Sequence, residues 1–75
     1  MSKYRKLWYY LEDNCLGTET LSFSDIYMIC GGEVNSEFMD CRRECEDFGF
    51  SIQRIDMNRR TVTFARNAGN IRRRR

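Results

Sequence analysis

Seventy-five residues leave room for one domain with a thin core. Ten of them are aromatic and 41% are hydrophobic, which excludes a chain disordered along most of its length. The net charge of +2 conceals a split: residues 1–50 carry five basic and ten acidic side chains, or −5, and residues 51–75 carry eight arginines against Asp56, or +7. Such asymmetry bears on partners and solubility rather than on fold.

The basic start Met1-Ser2-Lys3-Tyr4-Arg5-Lys6 leads into an amphipathic stretch, not the unbroken apolar core of a secretory leader. No run reaches the roughly 18–20 apolar residues of a membrane span. A cytoplasmic protein without membrane contact is expected. Its four cysteines are then thiols or metal ligands.

A first helix is expected from Lys3 to Asn14, with Ser2 as its cap. Tyr4, Leu7, Trp8 and Leu11 fall on one stripe. Thr20-Leu21-Ser22 reads as a short extended segment. Ser22 and Asp25 form a capping-box pattern, with Leu21 and Ile26 placed as a hydrophobic staple. The helix they open carries Ile26, Ile29 and Cys30 to Gly31-Gly32, where a left-handed residue ends it. A third helix is expected from Ser36 to Asp47, capped by Asn35 or Ser36, with Phe38, Cys41, Cys45 and Phe48 on one face.

A hairpin follows. Phe50, Ile52 and Arg54 face one way on its first strand, and Val62 and Phe64 alternate on its second. Residues 56–60 form the turn, with Asn58 suited to a positive φ. Residues 67–75, ending in Arg72 to Arg75, read as a disordered basic tail. Helix, short strand, helix, helix, hairpin is the order of a winged-helix-like α+β domain over residues 1–66, with the hairpin as wing.

Catalysis has little support. The chain holds no histidine, hence no side chain with an unperturbed pKa near neutrality. It also lacks a phosphate loop, a nucleophile elbow and a metalloprotease helix. A non-catalytic protein is expected.

The cysteines leave two readings open. Cys41 and Cys45 lie four apart on one helix face, and with Cys15 and Cys30 they make the inventory of a closed, structural Zn2+ site. Free cysteine is equally a small buried apolar residue, and Cys30, Cys41 and Cys45 lie on expected apolar faces.

The charged residues offer two binding surfaces. Glu33, Glu37, Asp40, Glu44, Glu46 and Asp47 form an acidic band suited to a basic protein surface. Arg54, Arg59, Arg60 and Arg66 lie along the hairpin and suit nucleic-acid phosphates. The third helix opposes the second reading, because residues 37–47 hold five acidic side chains against two arginines.

Lys3-Tyr4, Leu7 and Tyr10-Leu11, then Thr20-Leu21-Ser22-Phe23-Ser24-Asp25-Ile26, Ile29 and Gly31, then Gly49-Phe50, Ile55-Asp56, Thr61-Val62-Thr63-Phe64 and Arg66 carry a resemblance. Over residues 3–66 the chain resembles a small domain of unknown function found in bacteria and phages. It departs at Gly32-Glu33-Val34-Asn35 and the cysteine-bearing helix, where that family has a proline-containing loop and tryptophans. The resemblance implies a fold rather than an activity. By type alone, size, split charge and possible zinc make the chain similar to small anti-CRISPR proteins of phages. That similarity implies an inhibitor docking on a Cas9-type effector and blocking its engagement of nucleic acid. The alternative is a winged-helix nucleic-acid-binding domain.

Overall fold

A computed structural model describes residues 2–67. It is α+β, with helices α1 (Arg5–Asn14), α2 (Phe23–Cys30), α3 (Ser36–Asp40) and α4 (Arg42–Asp47), and strands β1 (Thr18–Ser22), β2 (Phe50–Asp56) and β3 (Thr61–Arg66). The strands form one antiparallel sheet in the order β1-β3-β2. The element order and the return of β1 beside β3 are those of a winged-helix arrangement. The expected basic tail lies outside the described residues from residue 68 onward.

The stripe on α1 builds the core. Tyr4, Leu7, Trp8 and Leu11 are all fully buried, and Trp8 packs at 6.3 Å from Phe38 and edge-on at 6.4 Å from Phe64. One side chain thereby links α1, α3 and β3. The helix begins at Arg5 rather than Lys3, and Tyr4 holds the cap position. Ser2 is no cap in the expected sense: its Oγ accepts from the Tyr4 amide at 3.2 Å and donates to Glu44.

The capping box is present as read. Ser22 Oγ accepts from the Asp25 amide at 2.9 Å, and Asp25 Oδ2 accepts from the Ser22 amide at 3.2 Å. Leu21 and Ile26 are both buried in the core. Gly31 closes α2 at φ 77°. Gly32 fits for a different reason: a Cβ there would lie 2.5 Å from the Tyr4 ring.

Further expectations need correction. The expected third helix is two short helices, because the Cys41 amide donates to Phe38 O at 3.0 Å in a tightened i→i+3 turn. The apolar spacing survives that turn, since Phe38 and Cys45 remain fully buried. In the hairpin, Ile52 pairs with Phe64 but Arg54 pairs with Thr63, leaving Gln53 as the extra residue of a β-bulge. The bulge inverts the alternation. Arg54 turns to the open face, and Ile55, opposite Val62, packs on the core.

The turn is held by Asp56, whose Oδ1 accepts from the Asn58 and Arg59 amides at 3.1 Å each. The positive φ falls on Arg60, at 56°, not on Asn58. That conformation aims the Arg60 carbonyl at the first amide of α2, which donates to it from Phe23 at 2.8 Å. Among the described residues, no helix is long and apolar enough to cross a membrane.

Candidate binding surfaces

Of the expected acidic band, Glu33, Glu37, Asp40, Glu46 and Asp47 are exposed, on the α2–α3 loop and on α3 and α4. Glu37 meets Lys3 at 3.4 Å, an ion pair of two well-exposed side chains. Glu44 departs from the group. It turns inward, accepting from Trp8 Nε1 at 2.9 Å and from Ser2 Oγ. The Ser2 hydroxyl, opposed by burial and helped by the Trp8 indole, holds its carboxyl below the usual carboxylate range.

The hairpin arginines also divide. Arg54 and Arg59 are exposed at the tip, 3.8 and 3.9 Å from Asp56 Oδ2. Arg60 is exposed and borders a depression on α2. Arg66 is committed elsewhere: its guanidinium donates to Cys15 O at 3.0 and 3.2 Å and to Glu12 O at 3.4 Å, and lies 4.9 Å from the Phe50 ring. It satisfies carbonyls at the C-terminal end of α1, where a cation is favoured.

All four thiols are free. Cys15 is buried past the end of α1, its Sγ donating to Gly17 O at 3.5 Å, and burial pushes its pKa up. Cys30 donates to Ile26 O at 3.3 Å and is likewise raised by burial. Cys45 lies in the core beneath α4 and is pushed up to about 12 by burial, then by Glu46 and Glu44. Cys30 and Cys41 both lie near Tyr4, whose own pKa is raised to about 12, first by burial, then by Glu37 and these two thiols. Tyr4 and Cys15 flank the two ends of α1, a ten-residue helix about 15 Å long. The structure therefore brings Cys30 and Cys41 toward one end of α1 and leaves Cys15 at the other. Among the described residues, no group of three or more cysteines or carboxylates is placed to hold a metal ion.

Sequence reading passed over the outer side of α2. Tyr27 and Met28 are 54% and 82% exposed, and two open depressions flank them. One, of about 430 Å3, is lined by Phe23, Tyr27, Met28, Val34, Glu33 and Arg60. The other, of about 350 Å3, runs between α1, α2 and β1 and is lined by Tyr10, Met28, Ile29, Leu21, Glu19 and Asp25. The signal was in the sequence: a surface helix reading Phe23-Ser24-Asp25-Ile26-Tyr27-Met28-Ile29-Cys30 is apolar on more than its core face. No protein-family model, no curated protein and no solved structure matches this chain.

Proposed function

We propose that this chain is a non-catalytic docking domain whose acidic band meets a basic surface on a nucleic-acid-handling protein. A Cas9-type effector is the specific partner to test. The observation that carries the reading is the exposure of Glu33, Glu37, Asp40, Glu46 and Asp47 on one stretch occupying the recognition position of a winged helix. That stretch repels phosphate and attracts lysine and arginine, giving fast, salt-sensitive association. Burial that raises Cys15, Cys30 and Cys45 supports the non-catalytic part, because the thiolate is the nucleophile.

The hairpin supports a second reading. Arg54 and Arg59 are 74% and 82% exposed at its tip, suiting a wing laid on nucleic-acid phosphates. Charge reversal separates the two. Under the docking reading, Glu37→Lys with Asp40→Lys and Glu46→Lys abolishes low-salt pull-down of Cas9, while Arg59→Glu with Arg60→Glu leaves it intact. Loss of duplex-DNA binding in the arginine variant, with Cas9 never captured by the native chain, would install the hairpin reading instead.

Zinc on Cys15, Cys30, Cys41 and Cys45 is a separate proposal. It requires the two ends of α1 to supply one tetrahedral site, hence a rearrangement of the thiols described above. About one zinc per chain by elemental analysis, with a melting temperature that falls on chelation, supports it. Zinc-free protein with an unchanged melt leaves the thiols as core residues.

A further inference from the structure

Strand β1 lies at the edge of the sheet and pairs, among the described residues, with β3 alone. Register and two hydrogen bonds establish which of its backbone groups are unused. Thr18 to Ser22 pair with Ala65 to Thr61, and the ladder is bounded by Arg66 N donating to Gly17 O at 2.7 Å and Phe23 N donating to Arg60 O at 2.8 Å. In an antiparallel ladder, hydrogen-bonded positions alternate. Gly17, Glu19, Leu21 and Phe23 thus spend their backbone groups on β3, while Thr18, Thr20 and Ser22 point theirs away from it. The capping box takes the Ser22 amide. The amides and carbonyls of Thr18 and Thr20 take no partner among the described residues.

Beside these groups lies the depression lined by Tyr10, Met28 and Ile29, with Leu21 at its floor. Glu19 and Asp25 stand at its rim. Glu19 and Leu21 share the helix-side face of β1, since Leu21 is buried and strand side chains alternate. A strand added outside β1 would place one side chain opposite Leu21, beside Tyr10, Met28 and Ile29. The side chain two residues away would stand opposite Glu19. Cross-strand neighbours on one face are the contacts that select sequence.

We propose that the free edge of β1 binds an extended segment of another protein carrying an apolar residue and a lysine or arginine two positions apart. Backbone hydrogen bonds to Thr18 and Thr20 supply affinity, as in other strand additions. The Tyr10, Met28 and Ile29 groove takes the apolar side chain, and Glu19 takes the cation. A second copy of this chain fits poorly, because its own β1 offers Leu21 with Glu19 two positions away, a carboxylate where the rim carboxylates favour a cation. Nucleic acid is disfavoured by the same carboxylates. The α4 part of the acidic band, Glu46 and Asp47, lies away from this surface, because α4 packs on β2, at the opposite edge of the sheet.

The test uses the full chain and a labelled peptide of threonine, isoleucine, threonine, lysine and threonine, followed by fluorescence anisotropy. Binding is expected, weakening about tenfold, a 1.4 kcal/mol effect, in Thr20→Pro and in Met28→Lys. Proline at Thr20 removes an outward amide and no ladder bond. Met28 is exposed, so its replacement spares the fold. N-methylation of the peptide backbone should abolish binding without touching the protein, and Glu37→Lys should leave it unchanged. No binding by the native chain, or binding indifferent to Thr20→Pro and N-methylation, overturns the proposal. So does tighter binding in Ile71→Asp, which would assign the edge to this chain's own Ile71-Arg72-Arg73. A dimer in sedimentation that Thr20→Pro dissociates would assign it to a second copy, with the same consequence.

Discussion

Glu44 sits between Arg43 and Cys45 in an acidic run, and nothing in that run distinguishes it from Glu46. Its place in three dimensions does. Among the neighbouring carboxylates it alone is given an indole N–H and a serine hydroxyl to accept, and Trp8 is fully buried. Glu44→Ala leaves the Trp8 donor unsatisfied and should destabilise the fold by about 1–3 kcal/mol, measured by urea denaturation at pH 7. Glu44→Gln keeps an acceptor and should cost less. The pH dependence has a defined sign. The folded-state pKa lies below the ordinary carboxylate value, so the stabilisation is present above that ordinary value and is lost as pH falls through the depressed folded one. Urea midpoints measured from pH 6 downward should drop more steeply in the native chain than in Glu44→Gln. A residue-level role of this kind was not legible beforehand, because it depends on contacts separated by 36 and 42 positions.

At the scale of elements, the junction between β1, α2 and the hairpin turn explains the conformation of Arg60. A non-glycine residue at φ 56° is strained by about 1–2 kcal/mol. Here the strain places a carbonyl where the first amide of α2 needs an acceptor. Arg60→Gly should be neutral or stabilising in thermal melts, and Arg60→Val destabilising, while Ser22→Ala at the same junction should cost about 1 kcal/mol. Much of this element could be read from the chain. The Ser22–Asp25 spacing is a local signal and its capping box is in place, and Leu21 and Ile26 are both buried. The α1 stripe was equally legible, because helical periodicity and burial are linked. What escaped reading was every feature set by one residue of register. The tightened turn at Cys41 and the bulge at Gln53 leave composition and spacing almost untouched while changing which side chains face inward. The candidate surfaces inherit that limit: charge was visible, but the inward turn of Glu44 and the commitment of Arg66 were not.

At the scale of the whole molecule, the sheet separates two chemistries. Its β2 edge carries α4 with Glu46 and Asp47, and its β1 edge carries exposed backbone beside a groove lined by Tyr10, Met28 and Ile29 with Glu19 and Asp25 at the rim. Binding at the first should weaken steeply with salt, because exposed charges are screened beyond about 8 Å at physiological ionic strength. Binding at the second should retain a salt-insensitive part from backbone pairing and apolar burial. Titrating each probe against sodium chloride checks the difference. The bulge on β2 bears on how such a sheet can grow. An edge strand with an unpaired extra residue and an exposed Arg54 is a poor template for further pairing. Among the described residues only the β1 side offers a regular edge, so a strand accepted there closes the sheet. A fibre would require two extendable faces, and this molecule offers one, a chain terminator in the language of polymerisation.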